Sequence, residues 1–220
     1  MVNSEVIISP EGNENGQVYT LIGAVGLLLA FTLFIHGGWF AQGLILFAGG
    51  AVCFILGIAK QIEPKVSFKI NSEGIRYFHR RGSTEVHWDN IQRIDIPRVT
   101  KGTDLIELPY VAIKLKAINP VLDTVSPRLA TGLLTEQRSL LMTAGAQANN
   151  EEALESYLNH EFMPLTVNDE RYRGILAMFG RRCLMLDEHL GYHLYMPIDC
   201  LDREPEAFIK LIRELQKARK

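Results

Sequence analysis

Between Asn15 and Ala59 the chain has no Asp, Glu, Lys or Arg, although charged residues fill 22% of its 220 positions. At that charged content a given stretch of this length is uncharged by chance roughly once in a hundred thousand trials. Cysteine is scarce as well. Of the three, Cys53 falls inside the charge-free run, and Cys183 and Cys200 form no recognisable disulfide framework, which suits a reducing compartment. The common catalytic signatures are missing: there is no GxSxG elbow, P-loop, GxGxxG turn or HExxH pair. Positive charge is absent from the first 17 residues, which carry only Glu5, Glu11 and Glu14, and this excludes the basic start of a secretory signal.

What fills the charge-free run is Leu, Ile, Val, Phe, Ala and Gly, interrupted by His36-Gly37-Gly38-Trp39. As helices, Val18–Ile35 and Phe40–Ala59 would span about 27 and 30 Å, each enough for one hydrocarbon core. A four-residue link makes them an antiparallel hairpin whose two ends emerge on one side. Lys60, Lys65 and Lys69 follow the second helix while the turn has no positive charge, so the positive-inside bias puts both termini in the cytoplasm. Tyr19, Trp39 and Lys60 are read as interface anchors. Gly43, Gly50 and Gly57 recur every seven residues, and Gly23 and Ala30 share that spacing in the first helix, the pattern of a close helix seam within the hairpin or between copies of it. His36 is a solvated turn residue. No ionisable group lies deep in either span, which leaves a transport pathway without support.

The formal charge of -2 hides a gradient: Lys60 to Thr100 holds eight basic against five acidic residues, and this stretch adjoins the membrane. The balance does not favour nucleic acid. Residues 1–17 read as a mobile tail. Beyond the hairpin, residues 60–220 are long enough for one domain with a core.

That domain begins with strands. Val66, Phe68 and Ile70 alternate with Ser67 and Lys69, Asn71-Ser72-Glu73-Gly74 supplies a turn, and Ile75 to His79 returns. Thr84–Trp88, Ile91–Ile96 and Tyr110–Lys116 make five strands of an antiparallel sheet. A helical insert follows over about 117–182, with helices predicted at Thr135–Ala146, Glu151–His160 and Asp169–Phe179, the last capped by Gly180. Strands resume at Cys183–Leu186 and Tyr192–Met196. An amphipathic helix closes the chain from about Glu204 to Ala218, burying Phe208, Leu211, Ile212 and Leu215.

Two constellations carry chemistry. Arg76, His79, Arg80 and Arg81 cluster about the second hairpin turn and match phosphate or carboxylate groups, as a lipid-headgroup or partner contact or as an ordinary solvated hairpin. Cys183, His189, His193 and Cys200 are soft and imidazole ligands, but their spacing fits no standard zinc module, so no metal and no cofactor are expected. Trp88 and Asp89 are read as closing a strand corner, the ring inward and the carboxylate capping the following turn.

The stretches Ile70-Asn71-Ser72-Glu73-Gly74-Ile75 and Val86-His87-Trp88-Asp89-Asn90-Ile91-Gln92-Arg93-Ile94, placed after two apolar helices, resemble bacterial membrane-anchored proteins with a pleckstrin-homology-like domain. The chain also resembles an uncharacterised bacterial membrane protein family of unassigned function. The resemblance implies an α+β membrane protein: a transmembrane helical hairpin, then an antiparallel pleckstrin-homology-like domain with a helical insert and a C-terminal amphipathic helix. It implies a non-catalytic binding or scaffolding module in the bacterial inner membrane, bound to the bilayer and to a protein partner, with homo-oligomers open. Two alternatives stand beside it, a structural subunit of an integral complex and an enzyme acting on membrane lipid. The loop that binds phosphoinositides in eukaryotic members corresponds here to Asn71-Ser72-Glu73-Gly74, which is not basic.

Overall fold

The computed structural model describes residues 5–10, 15–62, 64–101, 104–147 and 163–219. The chain divides into two compact units, Pro10–Lys65 and a second built from Met1–Ser9 together with Val66–Lys220.

The first unit is a pair of helices, α1 (Gly16–His36) and α2 (Phe40–Ile62), each long and apolar enough to cross a membrane. Gly37 ends α1 in the left-handed region at φ 67°, its N–H bonded to Phe34 O, which permits the sharp reversal. Both helices overrun the apolar windows read from sequence, α1 taking in Gly16, Gln17 and His36 and α2 taking in Lys60, Gln61 and Ile62. The faces turned away from the seam carry large exposed apolar groups, among them Leu21, Leu28, Phe31, Ile45 and Ile55.

The second unit is α+β. Strands β1 (Val6–Ile8), β2 (Phe68–Ile70), β3 (Gly74–His79) and β4 (Gly82–His87) form one antiparallel sheet in that order. A 3-10 turn over Trp88–Asn90 leads to β5 (Ile91–Asp95). A separate hairpin follows, β6 (Arg98–Lys101) with β7 (Asp104–Glu107), then β8 (Tyr110–Leu115). Helices α3 (Asn119–Thr124), α4 (Pro127–Glu136) and α5 (Arg138–Gln147) come next. After the small hairpin β9 (Leu165–Val167) and β10 (Glu170–Tyr172) runs α6 (Gly174–Leu190), then β11 (Leu194–Pro197), a 3-10 turn at Ile198–Cys200 and α7 (Pro205–Lys217). The second main sheet has the order β11-β8-β5, antiparallel throughout.

The core follows from strand alternation. Val111, Ile113 and Leu115 of β8 enter the main cluster with Phe68, Ile75 and Trp88, whereas Ala112 faces a second cluster with Leu140, Met185, Leu186 and Tyr195. Sheet β11-β8-β5 is therefore covered on both faces, and α5 and α6 supply the outer layer. Phe208 of α7 packs on Phe68 with ring centroids 5.3 Å apart, closing the main cluster.

Several expectations are corrected. The tail over 1–17 contains a paired strand: Val6, Ile7 and Ile8 lie opposite Ile70, Lys69 and Phe68, and Ile8 is fully buried. The five early strands belong to two sheets, since the Trp88–Asn90 turn redirects the chain between β4 and β5. The Thr135–Ala146 helix is two helices broken at Gln137. The Asp169–Phe179 helix and the Cys183–Leu186 strand are replaced by β10 and the single helix α6, because Asn168 and Asp169, both at positive φ, form a two-residue hairpin turn. Gly180 is an interior position of α6, where a Cβ would lie 2.6 Å from Leu165 Cδ2, and the cap is Gly191 at φ 84°. Asp89 is exposed; the corner is tied by Asn90, whose Oδ1 accepts from Ala117 N at 2.9 Å while its Nδ2 donates to Ala117 O at 2.8 Å. The insert over 117–182 therefore holds a β-hairpin, and its helical part continues to Leu190. The helix expected at Glu151–His160 lies outside the described residues.

Candidate functional site

The basic residues of the β3–β4 hairpin meet acids that are distant in sequence. Arg76 and Glu85 are cross-strand partners, and the Arg76 Nε donates to Glu85 Oε2 at 3.1 Å. At the tip, one carboxylate is held by two side chains: Glu136 Oε2 lies 2.9 Å from His79 Nε2, and Glu136 Oε1 accepts from the Arg80 guanidinium at 2.7 Å. The Arg81 side chain lies across Gly132 of α4, where a Cβ would come within 2.7 Å of its Cδ. His79 and Arg80 are thus brought together on Glu136, with Arg81 beside them at Gly132, whereas Arg76 is paired separately with Glu85, so that Arg76, His79 and Arg80 each meet an acid of the same chain. Arrangements of this kind fasten α4 to the hairpin and reduce the charge offered to an anion. Glu136 was invisible to spacing arguments because it lies 56 and 57 residues from its partners.

A second charged centre sits between β8 and α6. Lys114 Nζ lies 3.0 Å from Asp187 Oδ1, and His193 Nδ1 lies 3.5 Å from the same oxygen. Leu115 N–H donates to His193 Nδ1 at 3.2 Å, which leaves the neutral ring carrying its proton on Nε2. Burial lowers the His193 pKa, Lys114 lowers it further, and Asp187 opposes them. The zinc candidates do not converge. Cys183 is buried in α6 with its thiol pushed up to about 12 by burial, and Cys200 Sγ lies 3.8 Å from Tyr77 OH. Among the described residues no group of three or more His, Cys, Asp or Glu side chains is placed to hold a metal ion.

A third polar cluster joins α3 to the β9–β10 hairpin. Buried Asn119 donates to Val167 O at 2.9 Å and Glu170 Oε2 at 2.6 Å, and Asn168 Nδ2 donates to Asn119 Oδ1 at 2.8 Å. The Tyr172 hydroxyl lies 2.9 Å from Asp123 Oδ1 and 2.6 Å from Glu170 Oε2. Hydrogen bonds from Tyr172 and Asn119 hold the Glu170 carboxyl below its usual range, while burial, followed by the two acids, raises the Tyr172 pKa. The cluster locks a tight turn onto a short helix.

Between the two main sheets, under α4, lies a cavity of about 20 Å³ lined by Ile75, Thr84, Ile113, Leu133, Gln137 and Tyr195, among others. The Gln137 amide donates to Tyr195 O at 2.9 Å. The Thr84 hydroxyl is shut off from solvent and meets no hydrogen-bond partner among the described residues. This space suits one water and little more.

In the helical unit, Tyr19 and Lys60 share the open end, with Lys60 Nζ 5.3 Å from the Tyr19 ring centroid, and exposed Trp39 starts the return at the other end. Gly23, Ala30, Gly43, Gly50 and Gly57 are all buried between α1 and α2. A Cβ on Gly23 would collide with Phe54 N, and one on Gly57 with Thr20 N, so the backbones approach as closely as only glycine allows. Gln61 Nε2 donates to Thr20 Oγ1 at 2.6 Å at the open end.

Fold and geometry define a chain with two N-terminal helices long and apolar enough to cross a membrane and an α+β unit of antiparallel sheets. The chain belongs to the family described as protein of unknown function DUF2982, whose model matches residues 68–218. Neither a curated protein nor a solved structure matches it.

Proposed function

We propose that this is an integral membrane protein whose pleckstrin-homology-like domain serves as a binding or scaffolding module at the cytoplasmic face of a bacterial inner membrane. One observation carries the reading: β1 and β2, which flank the helical hairpin in sequence, are neighbours in one sheet. A chain that leaves a folded domain at β1 and re-enters it at β2 must cross the bilayer an even number of times. The exposed apolar faces of α1 and α2 supply the two crossings, and Lys60, Lys65 and Lys69 favour the cytoplasm for the domain.

Two sheets enclosing a core, with an amphipathic helix packed through Phe208 onto Phe68, are consistent with the pleckstrin-homology-like architecture. A binding role is favoured over lipid chemistry because the charged groups of the three polar centres are ion-paired or hydrogen-bonded within the chain, and the cavity between the two main sheets holds little more than one water. The matched state of Arg76, His79 and Arg80 favours a protein partner over anionic headgroups as the domain's target.

The reading is tested on full-length protein tagged at both ends. In inverted membrane vesicles protease should remove both tags, and alkaline carbonate should leave the chain in the membrane. Tags on opposite sides, or carbonate extraction, would overturn the anchor. Crosslinking in cells followed by mass spectrometry should recover a stoichiometric protein partner; recovery of the chain alone would overturn the scaffold.

A further inference from the structure

We propose that β1 is an exchangeable strand: the slot it fills along β2 also accepts Val6–Ile8 of a second copy, giving a reciprocally exchanged dimer. This goes beyond the anchored-module reading: the slot itself is the β1–β2 pair, and only the alignment of copies in one membrane rests on that reading. The slot's chemistry is displayed by its present occupant. Val6, Ile7 and Ile8 pair with Ile70, Lys69 and Phe68, Ser67 N–H donates to Ile8 O at 2.8 Å, and Glu5 lies 3.4 Å from Lys69 Nζ. Ile8 is wholly buried and Val6 packs partly buried on the same core while Ile7 is half exposed, so the site selects an extended segment with aliphatic side chains at alternate positions.

Three features make exchange available. The ladder is only three residues long, so opening releases few hydrogen bonds, and the burial of Ile8 that opening gives up is regained when a second copy's strand fills the slot. The strand is separated from its partner by the whole α1–α2 insertion, so no tight turn fixes it in cis. The same contacts form in cis and in trans, and the balance between closed monomer and exchanged dimer is therefore set by the connecting segment and by local concentration. The connection from β1 to α1 is Ser9 to Asn15, seven residues that reach about 24 Å when extended. Copies held in one membrane share a plane and an orientation, which raises the concentration of one strand near the other's slot.

Ile7 and Lys69 face each other across the pair, on the side away from the Ile8 slot. Full-length Ile7→Cys with one tag is co-expressed with full-length Lys69→Cys carrying another, and membranes are oxidised mildly. A disulfide joining the two tags reports a β1 strand lying on another copy's β2. Each variant paired with the unsubstituted chain, which retains Cys53, Cys183 and Cys200, sets the background. The expected heterodimer exceeds that background at least about tenfold, and falls as the chains are diluted with lipid or detergent. A doubly substituted chain, Ile7→Cys with Lys69→Cys, reports the closed form as an internal disulfide. If it closes and the mixed pair gives only background, the strand is fixed in cis and the proposal fails. If it does not close, the β1–β2 register is wrong and the proposal fails with it. Exchange measured in detergent is independent of the protease and carbonate results, so failure of the anchor and failure of the exchange are separable.

Discussion

Thr84 hides a hydroxyl beside the inter-sheet cavity without a partner among the described residues, a loss that a buried polar group normally avoids. Thr84→Val replaces it with a methyl of similar shape and should raise stability by about 1 kcal/mol in urea unfolding of the full chain in mild detergent. A loss of stability instead would mean that the hydroxyl is bonded to water in the cavity. His193 makes the opposite kind of prediction. Its folded pKa lies below the ordinary value of 6.5, so in the window beneath 6.5 the unfolded chain binds more protons than the folded one. Stability should therefore decline as pH falls through 6.5 toward the folded pKa. Protonation would also compete with the Leu115 N–H for Nδ1, between the Asp187 carboxylate and the Lys114 ammonium. His193→Asn retains an acceptor without a titrating ring, and its unfolding midpoint should vary less between pH 7 and pH 5. An unchanged slope would show that other groups set the pH dependence.

At the scale of elements, local pattern and distant contact separate what could be read from the chain. The two apolar helices and the succession of antiparallel strands were legible because their signals, the charge-free run and the alternation from Phe68 to Ile70, lie within a few residues. The break at Gln137 was not, because the partners that meet it there are distant in sequence: its amide donates to Tyr195 O and its carbonyl accepts from Arg182. Nor was the β9–β10 hairpin, whose turn is two residues at positive φ with no glycine, and with it the start of α6 at Gly174 was missed. The basic hairpin was visible, yet the pairing of His79 and Arg80 with Glu136 was not. The strand corner shows the same division: Trp88 reads as a core residue and is one, while the element is tied by Asn90, which bridges both backbone groups of Ala117. Asn90→Ala should cost about 1–3 kcal/mol by leaving those groups unpaired, whereas Asp89→Ala, at the exposed neighbour, should change the same unfolding curve little. In the helical pair, Gly57→Leu forces a side chain into Thr20. Spin labels at Val18 and Ile58 should then report a separation several ångströms greater than in the parent; an unchanged distance would mean that the backbones are not in close contact there.

The molecule as a whole is a folded unit interrupted by its helical hairpin. Its first strand precedes the helices and the remainder follows them, so the family match, which begins at residue 68, excludes a strand that the sheet uses. Ile8 decides whether that strand is structural. It is fully buried in the main cluster, at the end of a three-residue ladder, with the two helices between it and Phe68 along the chain. If β1 is part of the core, Ile8→Ala should remove about 2–5 kcal/mol from the sheet unit, the range for truncating a buried Ile. Ile7→Ala, on the half-exposed face, should remove far less. Hydrogen exchange on the full-length protein makes the comparison local. Ile8→Ala should accelerate the amides of Ser67 and Phe78, whose bonds to Ile8 O and Ser67 O couple β1 through the start of β2 to β3. Equal exchange in Ile8→Ala and the parent would mean that β1 lies on the sheet without supporting it. Acceleration would mean that the hairpin is inserted into the domain, and that any fragment beginning after α2 lacks one of the strands by which the domain is held.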